Sequence, residues 1–200
     1  MKIPSSSHCQ SVNLDPIFNA KRNGLPEELR SPPQYADATA MQSLRGIPFQ
    51  FGDRGQNDVL LLDQNDATIP LGGREATYVL FLHVAEDRTS NYQTGFADFE
   101  VDGNELGQTV STYMLTYEDG SAVDIPILRR FAIQQSRIQW GASAFAAVTA
   151  DSHDVKPTNT DDIGVNGSTS VEYGRGETRV HSGREAANEH LWIYALPNPH

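Results

Sequence analysis

The 200-residue sequence predicts an all-β domain, an antiparallel sandwich or barrel with long loops. Three observations lead there. From Arg45 onward, runs of about four to eight residues rich in β-branched and aromatic side chains are bounded by Gly, Asp and Asn. Helical periodicity of any length is absent. Finally, YMLTYEDGSAVDIPI, Tyr113 to Ile127, is a pair of alternating runs joined by Asp119-Gly120. Such a dipeptide supplies the positive φ angles of a tight primed turn, so a hairpin is expected with Tyr113, Leu115 and Tyr117 on one face and Val123, Ile125 and Ile127 paired against them.

The elements follow in chain order. Residues 1 to 44 are rich in Pro, Ser, Asn and Gln and read as an extended lead-in packed on the domain; SPPQYADATAMQS bars a long regular element between Ser31 and Ser43. Within it, LPEELR suits a single helical turn, with Pro26 near its start and Glu27 and Glu28 at the positive end. Residues 45 to 200 form the β-domain. Its strand candidates are IPFQF, DVLLLD, ATYVLFLHVA, ADFEVDG, TVSTYMLTY and SAVDIPI. TYVLFLHVA, Thr77 to Ala85, is apolar at nearly every position and is expected as a central strand covered on both faces, or wrapped by the lead-in, with His83 in the core. VDGNE, Val101 to Glu105, carries a second turn signal. After Ile138 come the small residues of GASAFAAVTA, then a polar stretch from Asp151 to Gly183, long for one connection. HLWIYAL is the final or penultimate strand.

Composition narrows the function. A chain of this length buries about two-thirds of its unfolded surface and needs no disulfide or metal staple. With 26 acidic against 15 basic residues the net charge is -11, which repels phosphate backbones and anionic membrane surfaces. Nucleic acid and membrane are therefore not expected partners, and no run of about 18 apolar residues is present to span a bilayer. Cys9 is the single cysteine, so no internal disulfide or cysteine metal cluster forms and the redox compartment is left open. MKIPSSSHCQ lacks the apolar run of a secretory leader: the protein is either cytoplasmic or has its leader outside this chain.

No catalytic signature stands out. His8, His83, His153, His181, His190 and His200 form no HExxH or close pair, and GxSxG and P-loop patterns are missing. YGRGET is a Gly-rich turn without the Lys and Ser/Thr of a phosphate loop. Asp151, Asp154, Asp161 and Asp162 offer hard oxygens in one loop, the chemistry of calcium, against the plainer reading of a solvated acidic loop without EF-hand order. Apart from calcium there, no cofactor is expected. Exposed aromatics present flat apolar faces that a sugar ring covers. Trp140, followed by Gly141 at a strand end, and Tyr92 are the candidates, with Tyr173 and Phe145 beside them; Trp192, inside an apolar strand, reads as core. Arg130 has a fork of donors suited to a sugar hydroxyl or carboxylate, its ordinary alternative being a salt bridge.

VNLDPIFNAKRNG, LRGIPFQFGD, VLFLHVA, STYMLTYEDGSAVDIPI, the Trp140 that follows RIQ, and HLWIYALPNPH succeed one another in this order. From Val12 to His200 the chain thereby resembles bacterial and fungal jelly-roll domains, namely carbohydrate-binding modules and galactose-binding-like domains attached to glycoside hydrolases, polysaccharide lyases and related secreted proteins. The resemblance implies an antiparallel β-sandwich of jelly-roll type. It departs from the pattern where LRRFAIQQSRIQW, with two arginines and a longer approach to the Trp, replaces a Gly-Asn-Ile-type turn.

What the resemblance implies for function is a noncatalytic carbohydrate-recognition or accessory module of a carbohydrate-active protein, extracellular or periplasmic. The alternatives are a subunit or fragment of a polysaccharide-degrading hydrolase or lyase using paired carboxylates, and a structural domain packing on a partner. Related jelly rolls run on into one more strand after the equivalent of Asn198 to His200. A second chain, or the remainder of a precursor, is therefore expected to fill a vacant edge beside HLWIYAL, unless SVNLDPIF folds back over it.

Overall fold

The computed structural model describes residues 6–29, 31–63, 65–88, 106–138, 143–150 and 188–200. Among them are nine strands, four one-turn 3₁₀ segments and no α-helix. Every pairing between the strands is antiparallel. The all-β class read from the sequence is thus observed. No helix of the described residues is long and apolar enough to cross a membrane.

The lead-in runs through short 3₁₀ turns at Asp15–Ile17, Arg22–Gly24, Glu27–Leu29 and Pro33–Tyr35. The third is the single turn expected in LPEELR. Pro16, Pro26 and Pro33 stand at or next to the start of three of these turns, where a missing N–H costs nothing. Arg22 anchors the segment. Its guanidinium is buried, lies 3.2 Å from Asp58 Oδ2, donates to the carbonyls of Tyr35 and Ala38, and sits 5.2 Å above the Phe51 ring.

DVLLLD does not form the strand expected of it. Val59 instead makes an isolated antiparallel bridge with Ala20, and the Asn19 side chain both donates to the Leu61 carbonyl and accepts from its N–H. The reason is steric as well as polar. Gly52 brings the chain so close that a Cβ there would stand 2.7 Å from both Asp58 Cα and Phe18 Cε2, so this stretch is zipped to the lead-in instead of a sheet.

Strands β1 (Ala40–Leu44) and β2 (Ile47–Phe51) form a hairpin. Its turn residues, Arg45 and Gly46, both have positive φ, 52° and 80°, as a primed two-residue turn demands. β1 lies inside the segment read from sequence as an irregular lead-in, because Arg-Gly is a weaker turn signal than Asn-Gly or Asp-Gly. β3 (Tyr78–His83) pairs along its whole length with β9 (Trp192–Pro197), and β7 (Ala147–Thr149) pairs with the other side of β9. TYVLFLHVA is accordingly the side strand of this sheet and HLWIYAL its centre. Beside HLWIYAL, where a vacant edge was expected, β3 pairs with β9 from Trp192 to Pro197 and β7 pairs on the other side with Trp192, Ile193 and Tyr194.

The hairpin of β4 (Thr109–Thr116) and β5 (Ala122–Leu128) has the expected register, with Tyr113 opposite Ile125 and Leu115 opposite Val123. Its turn differs from expectation in size. Gly120 alone carries a positive φ, 83°, while Gly120 N–H donates to the Tyr117 carbonyl and Tyr117 N–H to that of Ser121. The loop is therefore a three-residue turn closed by a glycine bulge. Asp119 favours it by accepting from both the N–H and the hydroxyl of Ser121, bonds that hold its carboxyl below the usual carboxylate range.

The hairpins cover opposite faces of the three-stranded sheet. Leu80 and Leu82 of β3 pack with Ile193, Tyr35 and the β1–β2 side chains Leu44, Ile47, Phe49 and Phe51. On the reverse face, Tyr194, Tyr113 and Ile125 pack against the buried cluster of Ala85, Ile127, Ala132 and Ile133. β3 thus makes apolar contacts on both faces, Leu80 and Leu82 on one and Phe81, 4.4 Å from the Tyr113 ring, on the other, while Val79–His83 are only half-buried and the strand stands at the side of the sheet. Trp192, fully buried with Ile138, Ala144 and Ala147, is core as expected, and its indole N–H donates to the Gln135 carbonyl. A two-residue ladder joins β6 (Arg137–Ile138) to β8 (Asn188–Glu189). ADFEVDG, VDGNE and the Asp151 to Gly183 stretch lie outside the described residues.

Candidate functional site

Beyond Leu128 the chain folds into a compact turn. Phe131, Ala132 and Ile133 all direct their N–H groups at the Leu128 carbonyl, and Arg130 N–H returns to the Ile133 carbonyl. Arg130 has φ 63°, a left-handed conformation that costs a non-glycine residue about 1–2 kcal/mol and persists only where surrounding contacts enforce it. That twist sends the two neighbouring arginines opposite ways. Arg129 is buried, donating to Gln108 Oε1 and to the Glu86 carbonyl, each at 3.0 Å. Arg130 instead sends its guanidinium 5.5 Å from the centroid of the Phe145 ring.

The Phe145 segment is docked on this turn by backbone bonds. Phe145 N–H donates to the Arg130 carbonyl, and the N–H groups of Ala146 and Ala147 share the Phe131 carbonyl. Phe131 and Phe145 meet at 5.5 Å between ring centroids, tilted by 43°. Both rings face solvent, Phe131 at 39% and Phe145 at 66% exposure. Beneath them Ala132, Ile133, Ala144 and Ala147 are buried. The result is a solvent-facing aromatic pair with a guanidinium over one ring, carried on a hydrogen-bonded base.

That base is polar and tightly connected. Gln134 and Gln135 are fully buried; the Gln135 side chain donates to the Arg137 carbonyl at 2.8 Å and accepts from Arg88 N–H at 3.1 Å. His83 clamps the turn from the sheet side. One ring nitrogen, Nε2, lies 2.9 Å from the Ala132 carbonyl and Nδ1 lies 2.9 Å from the Tyr113 hydroxyl. A carbonyl only accepts, so Nε2 carries the proton and Nδ1 accepts from tyrosine, the neutral imidazole. Burial drives the His83 pKa down to about 4, partly opposed by the bond to Ala132, and pushes Tyr113 up to about 12. Both groups therefore keep their neutral forms near neutral pH, and the two bonds tie β3 and β4 to the turn beneath the platform.

Of the residues singled out from sequence, Arg130 and Phe145 come together here. Phe131 joins them unannounced, because nothing in LRRFAIQ distinguishes a solvent-facing phenylalanine from a core one. Trp140, Tyr92 and Tyr173, and the loop aspartates Asp151, Asp154, Asp161 and Asp162, lie outside the described residues. Among the described residues no three His, Cys, Asp or Glu side chains are placed to share a metal ion. The chemistry on offer at the turn is stacking plus directed hydrogen-bond donation: a flat apolar face to cover a ring, and a guanidinium at its margin. No protein-family model, curated protein or solved structure matches this chain.

Proposed function

We propose that the chain is a noncatalytic carbohydrate-recognition module of jelly-roll type that binds sugar rings on the Arg130–Phe131–Phe145 platform. The observation that carries this reading is the exposed pair of phenylalanine rings, 5.5 Å apart, with Arg130 over one of them. Single exposed apolar side chains are ordinary on a protein surface. A pair fixed by backbone bonds on a turn with left-handed Arg130 is a surface prepared in advance, which reduces the ordering cost of binding. The C–H face of a pyranose stacks on such rings while a guanidinium donates to its ring-edge hydroxyls.

Affinity electrophoresis and calorimetry against a panel of plant and microbial glycans test this, with reducing-sugar release followed in parallel. A glycan that binds wild type should bind Phe145→Ala at least about tenfold more weakly, about 1.4 kcal/mol, with an unchanged thermal melt. Equal binding by Phe145→Ala and Phe131→Ala, or sugar release by the isolated chain, would defeat the reading.

A further inference from the structure

A second place in the fold has the makings of a binding site, remote in its chemistry from the aromatic platform. Between the lead-in and the β6–β8 ladder lies a cleft of about 180 Å³, whose walls include Glu27, Ser31, Asp87, Ser136, Arg137 and Glu189. That is smaller than the roughly 300 Å³ at which drug-sized sites begin, and suits one monosaccharide-sized molecule.

The charges are unevenly matched. Asp87, with its side chain 4% exposed, spends both oxygens on Arg137: Oδ1 accepts the backbone N–H at 3.2 Å and Oδ2 accepts Nε at 2.5 Å. That pair is internally neutral. Glu27 stands 3.8 Å from the same guanidinium, and Glu189 faces Arg137 across the ladder. Among the described wall residues, three carboxylates against one guanidinium leave two negative charges in excess, which disfavours an anionic ligand. A metal ion is disfavoured as well, since no three acidic or imidazole side chains among the described residues converge and the guanidinium stands among those present.

An independent observation comes from Ser136. It is 3% exposed, lines the cleft, and its hydroxyl has no hydrogen-bond partner. Buried hydroxyls are nearly always paired, and an unpaired one is a standing cost that a ligand group removes.

We propose that this cleft binds a small primary ammonium that also carries hydroxyl groups, of the size and class of an amino sugar. The ammonium sits between Glu27 and Glu189, and a ligand hydroxyl meets that of Ser136. A neutral polyol would satisfy Ser136 but leave the excess carboxylate charge uncompensated, so the cleft discriminates for the cation.

The test is an amide chemical-shift titration of the full chain with glucosamine hydrochloride, with glucose and calcium chloride in parallel. Saturable shifts at Ser136, Arg137 and Glu189 with glucosamine, and several-fold weaker ones with glucose, are expected. Glu189→Gln and Glu27→Gln, both on partly or fully exposed side chains, should each weaken glucosamine by up to about fivefold, the scale of one solvent-facing ion pair. Phe145→Ala should leave these shifts unchanged, which separates this site from the platform. Ser136→Ala should weaken glucosamine while melting at or above the wild-type temperature, since it removes an unpaired hydroxyl. Equal response to glucose and glucosamine, the same shifts from calcium, no effect of both carboxylate variants, or a lowered melt for Ser136→Ala would overturn the proposal.

Discussion

Acidification should destabilise this protein through His83 before most of its carboxylates titrate. The imidazole is neutral in the fold, its two nitrogens engaged by Tyr113 and Ala132, and the rings of Phe81 and Tyr194 lie 6.1 and 6.3 Å from it. A second proton would have to break the bond that Nδ1 accepts from tyrosine. Burial therefore lowers the folded-state pKa from 6.5 to about 4. Between those values the unfolded chain binds a proton that the folded chain refuses, so stability is fully present above about pH 6.5 and is lost as pH falls through the window. At about 1.36 kcal/mol per pH unit the whole gap is worth up to about 3.4 kcal/mol, of which about 2.5 is expressed by pH 4.5. Urea unfolding between about pH 8 and 4.5, for wild type and His83→Gln, isolates this contribution, because the surface carboxylates are common to both. His83→Gln should start less stable and lose about 2.5 kcal/mol less than wild type over that range. Parallel curves would show that His83 is protonated in the fold or titrates normally, and the neutral-imidazole argument would fall.

Other perturbations follow from the packing. Asp58→Ala leaves the Arg22 guanidinium, 5% exposed, without its carboxylate and should cost about 3–5 kcal/mol by chemical denaturation, with protease sensitivity appearing first in the lead-in. Gly52→Ala places a methyl 2.7 Å from backbone at Asp58 and should cost about 1–3 kcal/mol in the same assay; a neutral result would show that the lead-in shifts freely. Leu115→Ala, half-buried opposite Val123, should cost about 2 kcal/mol, near the low end for a core leucine, and a value below about half that would mean its face is solvated.

Some of this molecule was written locally. The alternation of Tyr113 and Leu115 against Ile125 and Val123 set the β4–β5 register, because a one-residue slip would turn every one of these side chains to the other face. Trp192 in its apolar run announced a core strand, and the prolines and glutamates of LPEELR a single turn. Strand partners were another matter. Ala147–Thr149 is a run of small and β-branched residues with no periodic signal, yet it pairs with Trp192, Ile193 and Tyr194 on the side of β9 away from β3. DVLLLD has the composition of a strand but is claimed by Asn19, Ala20 and Arg22, some forty residues away in chain order. The platform shows the same division. Arg130 is visible in the sequence as a donor, but its left-handed twist and its place over Phe145 exist only once the turn after β5 receives the segment before β7. Alternation along a strand records which face a side chain takes. Which strand or loop meets that face depends on long-range closure and on hydrogen bonds between distant backbone groups, and those are decided only when the layers pack.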